Sequence, residues 1–99
     1  MWTVRLEDER GKEIKSLKGP FICGYLENQS VNESPFKILK YLDPYGDTTF
    51  NILQMDDVIS DFELLQKMEE CDGSFIQQII VLAQECKAEN HQYLVFVGD

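Results

Sequence analysis

The 99-residue sequence predicts an α+β domain, a small and mainly antiparallel sheet packed against two main helices. Three observations predict it. Trp2–Leu6 alternates apolar and polar residues with the period of a half-buried strand. Two long stretches, 57–70 and 75–89, place apolar residues every three or four positions, the period of a helix with one buried face. The run Tyr93–Val97 is β-prone throughout. With 43% hydrophobic residues the chain can fill one core, so residues 1–99 are read as a single domain.

The elements follow in order. Trp2, Val4 and Leu6 fall on one face of a first strand. Asp8-Glu9-Arg10-Gly11 is a plausible reversal, and residues 13–18 return as the second arm of a hairpin that Gly19-Pro20 breaks. Residues 21–26 are apolar but too short to assign to strand or helical turn, and residues 27–34 form a polar loop. Residues 36–42 read as extended structure, with a short helix starting at Ser34-Pro35 as the alternative.

Leu42 to Gln54 forms a corner: Asp43, Pro44, Gly46 and Asp47 surround Tyr45, and Thr48, Thr49 and Phe50 follow as β-prone residues. After it comes the first helix, capped by Asp56 or Asp57, with Val58, Ile59, Phe62, Leu65 and Met68 on its apolar side. Ser74 is expected to cap the second helix, whose wide apolar face carries Phe75, Ile76, Ile79, Ile80, Leu82, Ala83 and Cys86. The continuous run Tyr93–Val97 reads as a central strand covered on both faces.

Charge separates the halves. The formal net charge is −9, and residues 43–72 hold nine acids against Lys67 alone. Such a field repels phosphate backbones and anionic lipids, so direct nucleic-acid or membrane binding is not expected, whereas a basic protein is attracted. No apolar run approaches the length of a membrane span, and the N-terminus lacks a signal-peptide core, so a cytoplasmic location is expected. Cys23, Cys71 and Cys86 form no C-x-x-C pair and read as small buried residues in a reducing compartment.

No catalytic set stands out. His91 is the single histidine, and its spacing from Cys86 gives no assurance of contact, so a nucleophilic dyad is not expected. Asp43 and Asp47 flank a tight turn and could meet a divalent cation, but the EF-hand spacing is absent. They read better as holders of the turn, with Asn51 and Gln54 satisfying nearby polar groups. No cofactor and no metal site are expected.

The pattern Asp43-Pro-Tyr-Gly-Asp-Thr-x-Phe-Asn-x-x-Gln54, the acidic helix after it, and the ending Tyr93-Leu-x-Phe-x-Gly-Asp99 resemble a group of small uncharacterised bacterial proteins. Some members of that group are encoded near polymorphic toxins, which makes them similar to immunity proteins. The resemblance implies a shared fold and an inhibitory binding role, and attaches no catalytic role to these positions.

Charge and resemblance together lead to the expectation of a cytoplasmic immunity-type protein that binds and neutralises a basic toxin domain, such as a nuclease. Asp56, Asp57, Asp61 and Glu63 are expected as the exposed acidic contact, with Leu64 and Tyr45 as apolar anchors. Two alternatives come from other classes. One is a small metal-dependent or carboxylate hydrolase using Asp43 and Asp47. The other is a structural or adaptor protein, a homodimer formed through the terminal strand or the second helix.

Overall fold

A computed structural model of the chain describes residues 2–19, 36–43, 45–67 and 73–98. The expected segment 21–26, the polar loop 27–34, the Ser34-Pro35 helix start, Met68, Cys23 and Cys71 lie outside the described residues.

Strand β1 (Trp2–Asp8) turns through Gly11, whose φ of 81° favours glycine, into β2 (Glu13–Gly19). The Asp8 carboxylate accepts the N–H groups of Arg10 and Lys12, both at 2.9 Å, and so fixes the reversal. Strand β3 (Asp47–Phe50) leads through a 3₁₀ turn (Ile52–Gln54) into helix α1 (Met55–Gln66). Helix α2 (Gly73–Ala88) and strand β4 (Gln92–Val97) complete the described chain.

The sheet is antiparallel throughout, in the order β2-β1-β4-β3. This is the expected α+β architecture, and β4 is an inner strand as its continuous apolar run implied, but the described helices lie against one of its faces rather than both. Both edges of β4 are occupied, by β1 and by β3, which leaves it no free edge for a second copy of the chain. That correction removes edge pairing of the terminal strand as a route to a homodimer.

The two helices cover one face of the sheet. Trp2, Val4 and Leu6 of β1 join Phe50, Leu94 and Phe96 beneath Val58, Phe62 and Leu65 of α1 and the apolar face of α2. Phe62 stacks on Phe96 with ring centroids 5.6 Å apart, and Phe50 meets Phe96 edge-on at 5.7 Å. The helices run antiparallel: Asp56 at the start of α1 pairs with Lys87 at the end of α2, and Gln66 bonds Gln77 at the opposite ends.

Two expectations about helix starts are corrected. Helix α1 begins at Met55, upstream of the expected caps Asp56 and Asp57, which instead lie in its first turn and complement the helix dipole. The capping box belongs to the 3₁₀ turn that leads into α1: the Asn51 side chain accepts from Leu53 N–H while the Gln54 side chain accepts from Asn51 N–H. Helix α2 begins at Gly73, so Ser74 lies within its first turn rather than before it.

Residues 36–42 also differ from the extended reading. They bend and form one 3₁₀ turn, Leu39–Tyr41, that buries Phe36 and Leu39 in the core. The cause is a contact from far along the chain, the Asp61 carboxylate on α1.

Candidate functional site

Of the six expected contact residues, the structure brings four to one groove. A depression of about 530 Å³ on the outer side of α1 is lined by Asp56, Asp61, Glu63 and Leu64 together with Lys37 and Lys67. Asp57 and Tyr45 are not among its lining residues. Helical spacing explains the grouping, because positions 56, 60, 63, 64 and 67 recur at three- and four-residue steps on the side of α1 turned from the sheet.

Asp61 is the main correction. It was expected as an exposed contact residue, and it is 3% exposed, the one buried charged side chain among the described residues. Its carboxylate accepts three backbone N–H groups, from Lys37 at 3.1 Å, Ile38 at 2.8 Å and Leu39 at 3.1 Å. A carboxylate taken out of water needs such partners, and a segment entering a 3₁₀ turn offers them unpaired. Asp61 therefore clamps residues 37–39 onto α1 and is unavailable to a partner in this arrangement.

Of the remaining acids Asp56 and Glu63 are exposed and Asp57 is half-buried, and not all are free. Asp56 is paired with Lys87, and Asp57 lies 3.7 Å from the Lys37 ammonium. Exposed pairs of this kind are weak, on the order of 0–1 kcal/mol, so an incoming cation can replace either lysine at little cost. Glu63 is exposed and, among the described residues, has no ion-pair partner. Leu64 beside it is 38% exposed.

Tyr45 stands at the tip of the corner, 90% exposed. The corner is held from within: Asp43 Oδ1 accepts Tyr45 N–H at 2.9 Å, Asp43 O accepts Gly46 N–H at 3.3 Å, and Thr48 Oγ1 accepts Asp43 N–H at 3.2 Å. Asp43 is thus a turn-holder, as expected. Asp47 is not: it opens β3, its side chain makes no hydrogen bond among the described residues, and Thr48 takes the role assigned to it. Gly46 lets the Asp43 carboxylate lie close against the turn, since a Cβ there would approach Asp43 Oδ2 to 2.7 Å and displace it.

Among the described residues, no group of three or more His, Cys, Asp or Glu side chains is placed to hold a metal ion. Cys86 is fully buried, and burial pushes its thiol up to about 11, opposite to the shift that activates a nucleophile. His91 is on the surface, with Nδ1 3.6 Å from a Glu9 carboxylate oxygen and a φ of 64° at the turn into β4.

Sequence reasoning missed Leu53, which is 88% exposed at the far end of β3 from Tyr45. It also missed the lysines that pair with Asp56 and Asp57. Leu53 lies just before the helical stripe begins, a position where an apolar residue has no assured face. No helix of the described residues is long and apolar enough to cross a membrane. No family model, no curated protein and no solved structure matches the chain.

Proposed function

We propose that the protein is an immunity-type inhibitor in the cytoplasm that binds and neutralises a basic toxin domain, a nuclease being the natural candidate. The observation that carries this reading is the acidic stretch: nine acids against one base in residues 43–72, with Asp56 and Glu63 exposed and Asp57 half-buried along α1. A nuclease must be cationic where it holds phosphates, so an acidic, partly apolar surface complements it and speeds encounter. Glu63 and the weakly engaged Asp56 and Asp57 supply the charge. Leu64 and Tyr45 supply the apolar contacts from which lasting affinity comes. Asp61 keeps a supporting role, holding Lys37 and its neighbours beside the groove. The resemblance of the corner and of the chain ending to toxin-linked bacterial proteins supports the same reading.

The test is protection of cells from, and co-purification with, the product of a toxin-like gene adjacent to this one. Replacing Asp56, Asp57 and Glu63 by Asn, Asn and Gln is expected to lower the association rate and flatten its salt dependence. Leu64→Ala and Tyr45→Ala are expected to speed dissociation. The reading fails if no adjacent gene product is bound, or if binding survives all five changes together.

A further inference from the structure

The two edges of the sheet are built unlike each other. Strand β2 carries Lys15 and Lys18, follows Lys12, and its pairing with β1 shifts register between Leu6 and Glu7. Lysines and a register irregularity are the devices by which an edge resists pairing with another chain. Strand β3 has neither. It runs Asp47-Thr48-Thr49-Phe50 in unbroken register with β4, without lysine or proline.

The free groups of β3 can be named. Gly98 N–H donates to Gly46 O at 2.8 Å, and the register pairs Asp47 with Val97, Thr48 with Phe96 and Thr49 with Val95. Hydrogen-bonded pairs alternate along an antiparallel ladder. Thr48 and Phe50 therefore bond to β4, while Asp47 and Thr49 direct their N–H and C=O groups away from the sheet. Their side chains are exposed as well. At the two ends of this short strand stand Tyr45 and Leu53, the most exposed large apolar residues of the described chain, at 90% and 88%.

We infer that β3, whose outer side pairs with no strand among the described residues, takes an extended segment of a protein partner as a fifth strand, one carrying Lys or Arg opposite Asp47. Four outward backbone groups give the strand its register. Tyr45 and Leu53 offer apolar contacts beyond each end, which a strand this short needs. Cation preference follows from exposed Asp47, whose carboxylate makes no ion pair or hydrogen bond among the described residues, from exposed Asp43, and from the net charge of −9. The same charge disfavours a second copy of this chain on the edge. The inference rests on the reading of the protein as a binder of a cationic protein, but uses the edge of β3 rather than the acidic face of α1, with Tyr45 the one residue common to both.

The experiment follows backbone amides of the full chain by NMR while a short peptide alternating lysine and valine is added. The amides of Asp47 and Thr49 are expected to shift and to exchange about tenfold more slowly, while those of Ser16 and Lys18 on the β2 edge stay unchanged. Thr49→Pro removes an outward donor without touching the ladder to β4 and is expected to abolish the response. If that variant does not fold, Asp47→Lys serves instead and is expected to switch the preference to a peptide alternating glutamate and valine. Replacing Asp56, Asp57 and Glu63 leaves the response in place, so loss of the α1 reading and loss of this one are told apart. The inference is overturned by unmoved Asp47 and Thr49 amides, by an equal response to the glutamate peptide in the unmodified protein, or by equal movement on the β2 edge. Protection that grows with the protein's own concentration, without peptide, would overturn it in favour of self-association.

Discussion

Asp61 accepts more backbone N–H groups than any other side chain among the described residues, and its removal leaves three donors without an acceptor. Asp61→Ala is expected to cost about 3 kcal/mol, read from the urea midpoint, with amide exchange at 37–39 rising first. Asp61→Asn should cost less, because one amide oxygen can still serve Ile38 and Leu39, which share Oδ2, while Lys37 loses its partner. The burial was legible in principle: position 61 lies three after Val58 and four before Leu65, on the apolar stripe. An acid on such a stripe reads as surface charge only until a backbone that needs it is brought alongside. Asp8 gives a pH signature. Donation from Lys12 N–H, then from Arg10 N–H, holds its carboxyl below the ordinary value. A carboxyl lowered by folding adds stability above its unfolded value, and loses it as pH falls through the folded one. Asp8→Asn is therefore expected to flatten the acid limb of the stability–pH curve, measured by urea unfolding between about pH 5 and pH 2.

At the scale of elements, the join between β2 and α2 depends on a side chain that is absent. A Cβ on Gly19 would sit 2.7 Å from the ring of Phe75, so the helix rests directly on the strand's last residue. Gly19→Ala is expected to cost about 1–3 kcal/mol by overpacking. Adding Phe75→Leu should recover part of that loss, and the coupling in the double-mutant cycle measures the contact. The elements with strong periods were legible: the buried residues of α2 are the seven that its spacing named, and β1, β2 and β4 lie where alternation or β-propensity placed them. The start of α1 was not, because Asn51 and Gln54 cap a 3₁₀ turn that runs straight into the helix and starts it ahead of the expected caps, and local pattern does not show such a turn. Residues 36–42 were misread for a different reason. Their conformation is set by a carboxylate more than twenty positions away, and no local propensity encodes it.

For the whole molecule, the charge map was legible and its wiring was not. The sequence shows where the acids concentrate; only the fold shows that Lys87 and Lys37 reach back to Asp56 and Asp57. A net charge of −9 on a chain this small repels itself in the compact state. Raising sodium chloride to about 0.5 M is expected to increase Tm, because screening relieves that repulsion more than it weakens a few exposed pairs. A flat or falling Tm would mean that the pairs outweigh the repulsion. The position of β4 has a kinetic meaning too. Thr3 pairs with Val97, so the centre of the sheet joins residues from the two ends of the described chain. Until they meet, β1 and β2 form a hairpin that is marginal alone, β3 has no strand beside it, and both helices lack a surface to lie on. The loop to be closed is nearly the whole chain, and its entropy is lost before most native contacts exist. The expected slow step of folding is therefore a late closure, the arrival of residues 92–97 between two strands that wait apart.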